Sequence, residues 1–305
     1  MNAGEALDVA AYLRGELPSV EAALERVVLM IEGRTDVTAD VASAIRHGVT
    51  TGGKRLRPIL CVTAYAACGG RRSDDAYDLA CALEMIHAYS LMHDDLPCMD
   101  DAELRRGRPT THIAHGEAVT TRAGAALIPL AAIHALRAAR ALGCNEERAR
   151  LVASLLMQAA GAGGMVGGQW VDLLGEGQAF GLEELNALHQ MKTGALLAAS
   201  LEIGAVAAGA THDVRAGLLE YGRAIGLAFQ IADDILDATA SAEVLGKNPS
   251  DSELDKSTYV ALFGLEEARR RAAAEVERAL IALEASGVVS SELDALARFV
   301  VERGK

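Results

Sequence analysis

Apolar positions recur along almost the whole chain at the three- and four-residue spacing that gathers them on one face of a helix. Residues 3–16 and 19–32 read as short amphipathic helices separated at Pro18, and a third runs over about 37–50 until Gly52 and Gly53 end it. Pro58 can open the next helix, over 59–68, because proline is tolerated in a first turn. A long helix covers 74–96. After a loop around Pro109 come a helix over 117–141 and another from Glu146 to Leu174 that contains GAGGMVGGQWVDL. Glycine inside a helix costs about 1 kcal/mol relative to alanine, so this run implies close packing, a kink or room for a ligand. It is no P-loop, since no Gly-Lys-Ser/Thr follows and no strand precedes it. A short helix over 182–191, another beginning at MKTGALLAAS, and helices over 213–237, 265–286 and 291–303 complete the pattern.

Composition agrees with this reading. Of 305 residues, 51% are apolar and only 4% aromatic, with alanine and leucine abundant and β-branched residues sparse. The fold class is all-α, and nothing resembles a linker, so residues 1–305 read as one helical domain. Lys+Arg 29 against Asp+Glu 42 leaves −13, which argues against nucleic acid or an anionic membrane surface as the main partner. Polyanionic substrates would then need local basic clusters or bridging metals. The five cysteines are dispersed without a CxxC pair, as expected of buried thiols in a reducing cytoplasm. No export signal or membrane span is expected: the N-terminal helix carries acids, and the apolar stretch 123–141 is interrupted by Pro129, His134, Arg137 and Arg140.

Candidate chemistry concentrates in residues 91–112, LMHDDLPCMDDAELRRGRPTTH. Asp94, Asp95, Asp100, Asp101 and Glu103 stand directly before Arg105, Arg106 and Arg108. Carboxylates suit a hard divalent ion such as Mg²⁺, and guanidinium forks suit the phosphate oxygens that the ion leaves over. An acidic doublet alone is more often a solvated surface loop. Upstream, His87 and Ser90 share a helical face with Asp94, and Tyr89 lies beside them, although a lone helical histidine is usually structural. Lys54, Arg55 and Arg57 cluster at a helix start, where the macrodipole already favours anions. Gln169 and Asp172 share another face, and Lys192 and Thr193 open a helix. Gln230, Asp233, Asp234 and Asp237 fall at i, i+3, i+4 and i+7, a stripe whose charges repel unless a cation is present. Lys247 and Lys256 follow.

Two aspartate clusters about 140 residues apart, GGKRLRP (52–58), LEMIHAYSLMHDDLPCMDDAELRRGRPT (83–110), GGQWVDL (167–173), MKTGAL (191–196), GLAFQIADDILD (226–237) and DKSTY (255–259) occur together. The combination resembles the trans-isoprenyl diphosphate synthases, most closely the bacterial short-chain farnesyl diphosphate synthases, almost from end to end. The resemblance implies an isoprenoid-synthase-type helical bundle around a deep central cavity, assembled as a homodimer. It implies Mg²⁺, about three ions per site. Asp94, Asp100 and Asp233 would ligate Mg²⁺ on the allylic diphosphate, supported by Asp95, Asp234 and Asp237. Arg105, Lys192, Thr193, Gln230, Lys247 and Lys256 would contact that diphosphate. Lys54, Arg57, His87 and Arg106 would hold isopentenyl diphosphate. Tyr89 and Ser90, the fifth and fourth residues before the first aspartate, would limit chain growth, which with the extra Pro97 and Cys98 implies a fifteen-carbon product, farnesyl diphosphate. The implied reaction is ionisation, condensation and elimination.

The chain departs from the family pattern at Gly124-Ala125-Ala126-Leu127, where an aspartate usually stands at Ala125, and at Gly246-Lys247-Asn248-Pro249-Ser250, which lacks a glycine and one residue. These departures imply a slower enzyme or an altered substrate preference. The alternatives are geranylgeranyl diphosphate synthase, a class I terpene cyclase, which has no second diphosphate to hold, and a noncatalytic synthase subunit.

Overall fold

Helix α4 (Asp74–Asp94) buries side chains on every face, from Ala76 and Leu79 to Ile86, Tyr89 and Met92. A helix that is apolar all round must be enclosed by others, and α4 is flanked by α1 (Val9–Glu32), α3 (Leu56–Ala67) and α6 (Glu117–Ala141). Helix α10 (Ala195–Ala208) is buried in the same way, packed on α3, α7 (Glu146–Ala160) and α11 (His212–Thr239). The remaining helices are α2 (Ala39–Thr50), α5 (Thr111–His115), α8 (Met165–Leu174), α9 (Leu182–His189), α12 (Tyr259–Phe263), α13 (Leu265–Ala285) and α14 (Ser291–Glu302). This computed structural model describes residues 7–175, 177–239 and 257–302. The result is the helix-on-helix architecture that the hydrophobic pattern predicts.

At Pro18 the expected break does not occur, and α1 runs straight through it. A proline inside a helix costs about 3 kcal/mol through the lost N–H bond and ring crowding. Pro18 is exposed, so the freed carbonyl can meet water, while the halves on either side are fixed to α3 and α4. Tyr12 hydrogen-bonds Thr63 at 2.6 Å on one side, and on the other Arg26 binds Asp78 at 2.7 Å.

The Glu146–Leu174 stretch does divide, into α7 and α8. A Cβ at Gly164 or Gly167 would strike the carbonyls of Ala159 and Ala162, and Gly168 packs on the backbone of Lys192. The glycine run is therefore both a kink and a close contact. Helices α9 and α10 are joined by a single π-helical turn, Gln190–Gly194, so the two expected helices run on as one with Lys192 and Thr193 on that turn. The loop expected around Pro109 contains a small antiparallel hairpin, β1 (Leu104–Arg105) and β2 (Arg108–Pro109). Its turn residues, Arg106 and Gly107, have φ 55° and 73°, the backbone of a tight two-residue turn matched to strand twist.

Glu117–Ala141, Glu146–Leu174 and Leu182–Ala208 are long and apolar enough to cross a bilayer by length and composition. The second is broken between α7 and α8, and the third contains the π turn and is mostly buried against other helices.

Candidate functional site

The first aspartate cluster is built by the end of α4. Asp94 is its last residue and Asp95 its cap. The chain then folds back through Leu96 N to His93 O at 3.1 Å, Met99 N to Leu96 O at 2.8 Å and Asp100 N to Asp94 O at 2.9 Å. Pro97 and Cys98 form the exposed outside of this turn, and Asp100 is returned to the neighbourhood of Asp94. Burial, partly offset by Lys192 and reinforced by Asp100, pushes the Asp94 carboxyl up to about 7. Such a carboxylate gains from any cation brought beside it.

Asp95 faces the other way. It is 3% exposed and accepts from Arg105 Nε at 2.8 Å and from Nη2 at 2.5 Å. Its carboxylate thus holds an arginine, and Arg105 is anchored by the motif it follows. Asp101, with φ 46°, and Glu103 are exposed beyond the turn.

One turn and more upstream the electrostatics reverse. Burial, then the charges of Arg57, Arg106, Arg105 and Arg55, hold His87 well below the usual imidazole range. Arg57 is half-buried, its Nε has no hydrogen-bond partner, and it feels both Glu84 and Asp233. The chain thus brings α3, α4 and α11 to one polar region. Arg106 donates through Nη1 to the Gly52 carbonyl, with its guanidinium against Gly53, where a Cβ would collide. Lys54 is exposed nearby in sequence.

Arg55 does not join this cluster as the sequence pattern suggests. It is 4% exposed at φ 48° and donates to Glu84 at 2.6 Å, Glu21 at 2.7 Å and the Val49 carbonyl at 2.9 Å. Sequence reasoning missed Glu84, which lies three residues before His87 and is 3% exposed. An acid that deep in an apolar helix is itself the signal that a buried cation sits opposite.

The second cluster also divides. Gln230, Asp233 and Asp237 are half-buried along α11, but Asp234 is turned inward, 6% exposed, and accepts from Tyr259 N at 2.8 Å. The four-residue stripe is therefore a line of three, with Asp234 fastening α12. Tyr259 continues this attachment by donating to Asn186 and stacking on His189 at 5.7 Å. Lys192 lies on the π turn and donates to Asp172 at 2.5 Å. A π turn inserted at this point re-aims the side chain relative to the helix that follows. Thr193 is half-buried beside it. Buried Gln169 Oε1, on the same face as Asp172, has no hydrogen-bond partner.

Tyr89 is 9% exposed, and Ser90 spends its hydroxyl on the His87 carbonyl at 2.9 Å. Ala125 is exposed on α6. Lys247, Lys256 and the Gly246–Ser250 departure lie outside the described residues. Among the described residues no group of three or more His, Cys, Asp or Glu side chains could by itself hold a metal. The donor set, two partly buried clusters of hard oxygens, fits a Mg²⁺ ion that completes its shell with water and phosphate oxygens rather than an all-protein cage.

The polyprenyl synthetase family model matches residues 38–290. A geranylgeranyl pyrophosphate synthase of Catharanthus roseus is 43% identical over 270 residues, which span 88% of this chain and 73% of the relative. An FPP/GFPP synthase from Zymomonas mobilis superposes with a TM-score of 0.80 at 36% identity, covering 96% of this chain and 99% of the other. A geranyltransferase from Legionella pneumophila does so with a TM-score of 0.83 at 29% identity, covering 97% and 98%. The chain belongs to the polyprenyl synthetase family, the trans-isoprenyl diphosphate synthases. It is a prenyltransferase of isoprenoid biosynthesis.

Proposed function

We propose that the protein joins the allylic carbon of a prenyl diphosphate to isopentenyl diphosphate in a Mg²⁺-dependent reaction, and that geranylgeranyl diphosphate is its main product. The observation that carries this reading is the reversal of charge between the end of α4, with carboxylates at Asp94 and Asp100, and His87 further up the helix, which feels the guanidinium charges of Arg57 and Arg106. A metal-bound diphosphate suits the first place and a bare diphosphate the second. A cyclase needs only the first.

Asp94, Asp100 and Asp233 would hold the ions, with Asp237 alongside. Bound Mg²⁺ supplies positive charge to the departing diphosphate. Lys192, steadied by Asp172 and close enough to Asp94 to lower its pKa, would neutralise the same leaving group. Arg105, fixed on Asp95, points a guanidinium into the same region without having to be ordered first. Thr193, Gln230, Lys247 and Lys256 would add contacts to the allylic diphosphate. Arg57, His87, Arg106 and Lys54 would hold isopentenyl diphosphate so that its alkene meets the allylic carbon. Asp95 and Asp234 act by positioning Arg105 and α12. The proton lost at the end goes to the released diphosphate.

The geranylgeranyl synthase relative at 43% identity supports a twenty-carbon product. Tyr89 favours a second reading, a fifteen-carbon product, because a buried aromatic ring five residues before Asp94 would obstruct a longer chain. The test is to incubate purified protein with Mg²⁺, isopentenyl diphosphate and, separately, dimethylallyl, geranyl or farnesyl diphosphate, then size the products. Twenty-carbon product from all three supports the main reading, and a stop at fifteen carbons supports the second. Hydrocarbon from farnesyl diphosphate alone would indicate a cyclase, and no product from any starter would refute a catalytic role for the chain acting alone.

A further inference from the structure

Tyr89 and His93 lie one turn apart on α4 and meet edge to face, with ring centroids 5.1 Å apart and planes at 79°. The imidazole is fixed from its far side as well, because Nε2 donates to the Thr121 carbonyl of α6 at 3.1 Å. It fits there only because residue 124 is glycine, since a Cβ at that position would fall on the His93 ring. Tyr89 is 9% exposed and belongs to the buried core around α4.

We propose that His93 is a positioning residue for product length: wedged between Gly124 and Tyr89, it fixes the phenol in the one orientation that meets a growing prenyl chain. The inference rests on the reading of Tyr89 as a limit to chain growth. A ring at the fifth position before the first aspartate is then not sufficient to define the stop. What defines it is a stack running from the α6 backbone through His93 to Tyr89, so the same tyrosine would block less in a chain with another residue at 93. A residue that loosened Tyr89 would let it swing aside under pressure from the prenyl tail, and longer products would follow without any change at Tyr89 itself.

The experiment is chromatographic sizing of products from wild type, His93→Ala, His93→Phe, Tyr89→Ala and the His93→Ala/Tyr89→Ala double variant. His93→Ala should raise the fraction of product one isoprene unit longer severalfold, less than Tyr89→Ala does. His93→Phe, which keeps a ring edge against Tyr89, should retain most of the wild-type distribution. In the double variant the histidine change should add nothing to Tyr89→Ala. If His93→Ala leaves the distribution unchanged while Tyr89→Ala lengthens it, or if the two changes add fully, His93 does not act through Tyr89 and the inference fails. It fails too if Tyr89→Ala makes wild-type lengths. Should His93→Ala not fold, Gly124→Ala displaces the imidazole from its seat and should lengthen the product as any loosening of Tyr89 does, and an unchanged distribution would overturn the idea. Failure of the enzymatic reading is separately visible, as wild type that elongates no starter at all.

Discussion

Asp95 and Arg105 form a two-pronged ion pair, with Nε and Nη2 of the arginine on one carboxylate at 2.5–2.9 Å, although they are ten residues apart and separated by the turn that carries Asp100. The pair closes the base of the first aspartate cluster. The acid is 5% and the base 23% exposed at the side chain, so removing one partner leaves a desolvated charge behind. Asp95→Ala should cost about 3 kcal/mol of stability and release the hairpin. Chemical denaturation measures the first effect. A variant as stable as wild type would show that the pair does not hold the loop.

Asp233 and Asp234, adjacent in ADDILD, should behave differently. Asp233→Asn should lower kcat/KM by a factor of about 100 or more if it meets the metal, since such electrostatic groups are typically worth that much. Asp234→Asn keeps a carbonyl oxygen for Tyr259 N and should retain most activity, whereas Asp234→Ala loses it and should cost about 1–3 kcal/mol. Equal kinetic losses for the two asparagine variants would contradict this division.

Acid should stabilise the metal-free protein through Asp94. Burial first, then Asp100, raise its folded pKa to about 7 from an unfolded value of 3.8, so the folded state holds the proton more tightly. The ionised group therefore costs nothing below about pH 4, an increasing amount between about 4 and 7, and its full amount above that. Each pH step between the two values costs about 1.4 kcal/mol at most, and the water that still reaches the carboxyl reduces this. Melting temperatures of metal-free wild type and Asp94→Asn, compared at about pH 5 and pH 8, should diverge in favour of the variant at the higher pH. Parallel curves would mean that Asp94 titrates normally.

Lys192 should depend on Asp172. Asp172→Ala frees the ammonium to wander and removes a buried acceptor, and kcat should fall at least tenfold with the fold intact by circular dichroism. Asp172→Glu should recover part of the loss. An unaltered kcat in Asp172→Ala would show that the pairing is incidental to turnover.

Pro18→Ala tests why α1 survives its proline. The alanine restores an N–H to an exposed turn, and the melting temperature should rise by a few degrees, because the gain of up to about 3 kcal/mol is offset by the greater freedom of the unfolded chain. A fall would mean that the ring is packed in a way its exposure does not suggest.

The helices are legible in the sequence because burial leaves a repeating trace in the pattern of apolar residues, and α4, α6 and α11 follow that trace closely. Pro18 misleads because its cost is local, while the contacts that outweigh it, Tyr12 with Thr63 and Arg26 with Asp78, join residues about 50 positions apart. The hairpin is hidden because two-residue strands are too short to show alternation. At the site, spacing correctly groups Gln230 with Asp233 and Asp237, for these share one helix. It cannot reveal that Asp234 serves Tyr259 or that Arg55 serves Glu84, because spacing assigns a residue to a face and is silent about what packs there.

At the hairpin, Arg105 ends a strand and binds a carboxylate, while Arg106 begins the turn and binds the Gly52 carbonyl. Adjacent guanidiniums are sent in different directions by backbone geometry alone, in a segment where the two side chains are chemically identical. Inserting or deleting one residue between Asp95 and Arg105 would move one arginine into the other's place and put Leu104 or Gly107 in the place vacated. The length of this stretch is therefore under tighter constraint than its composition, and it should tolerate substitution at Ala102 or Glu103 far better than any change in the count.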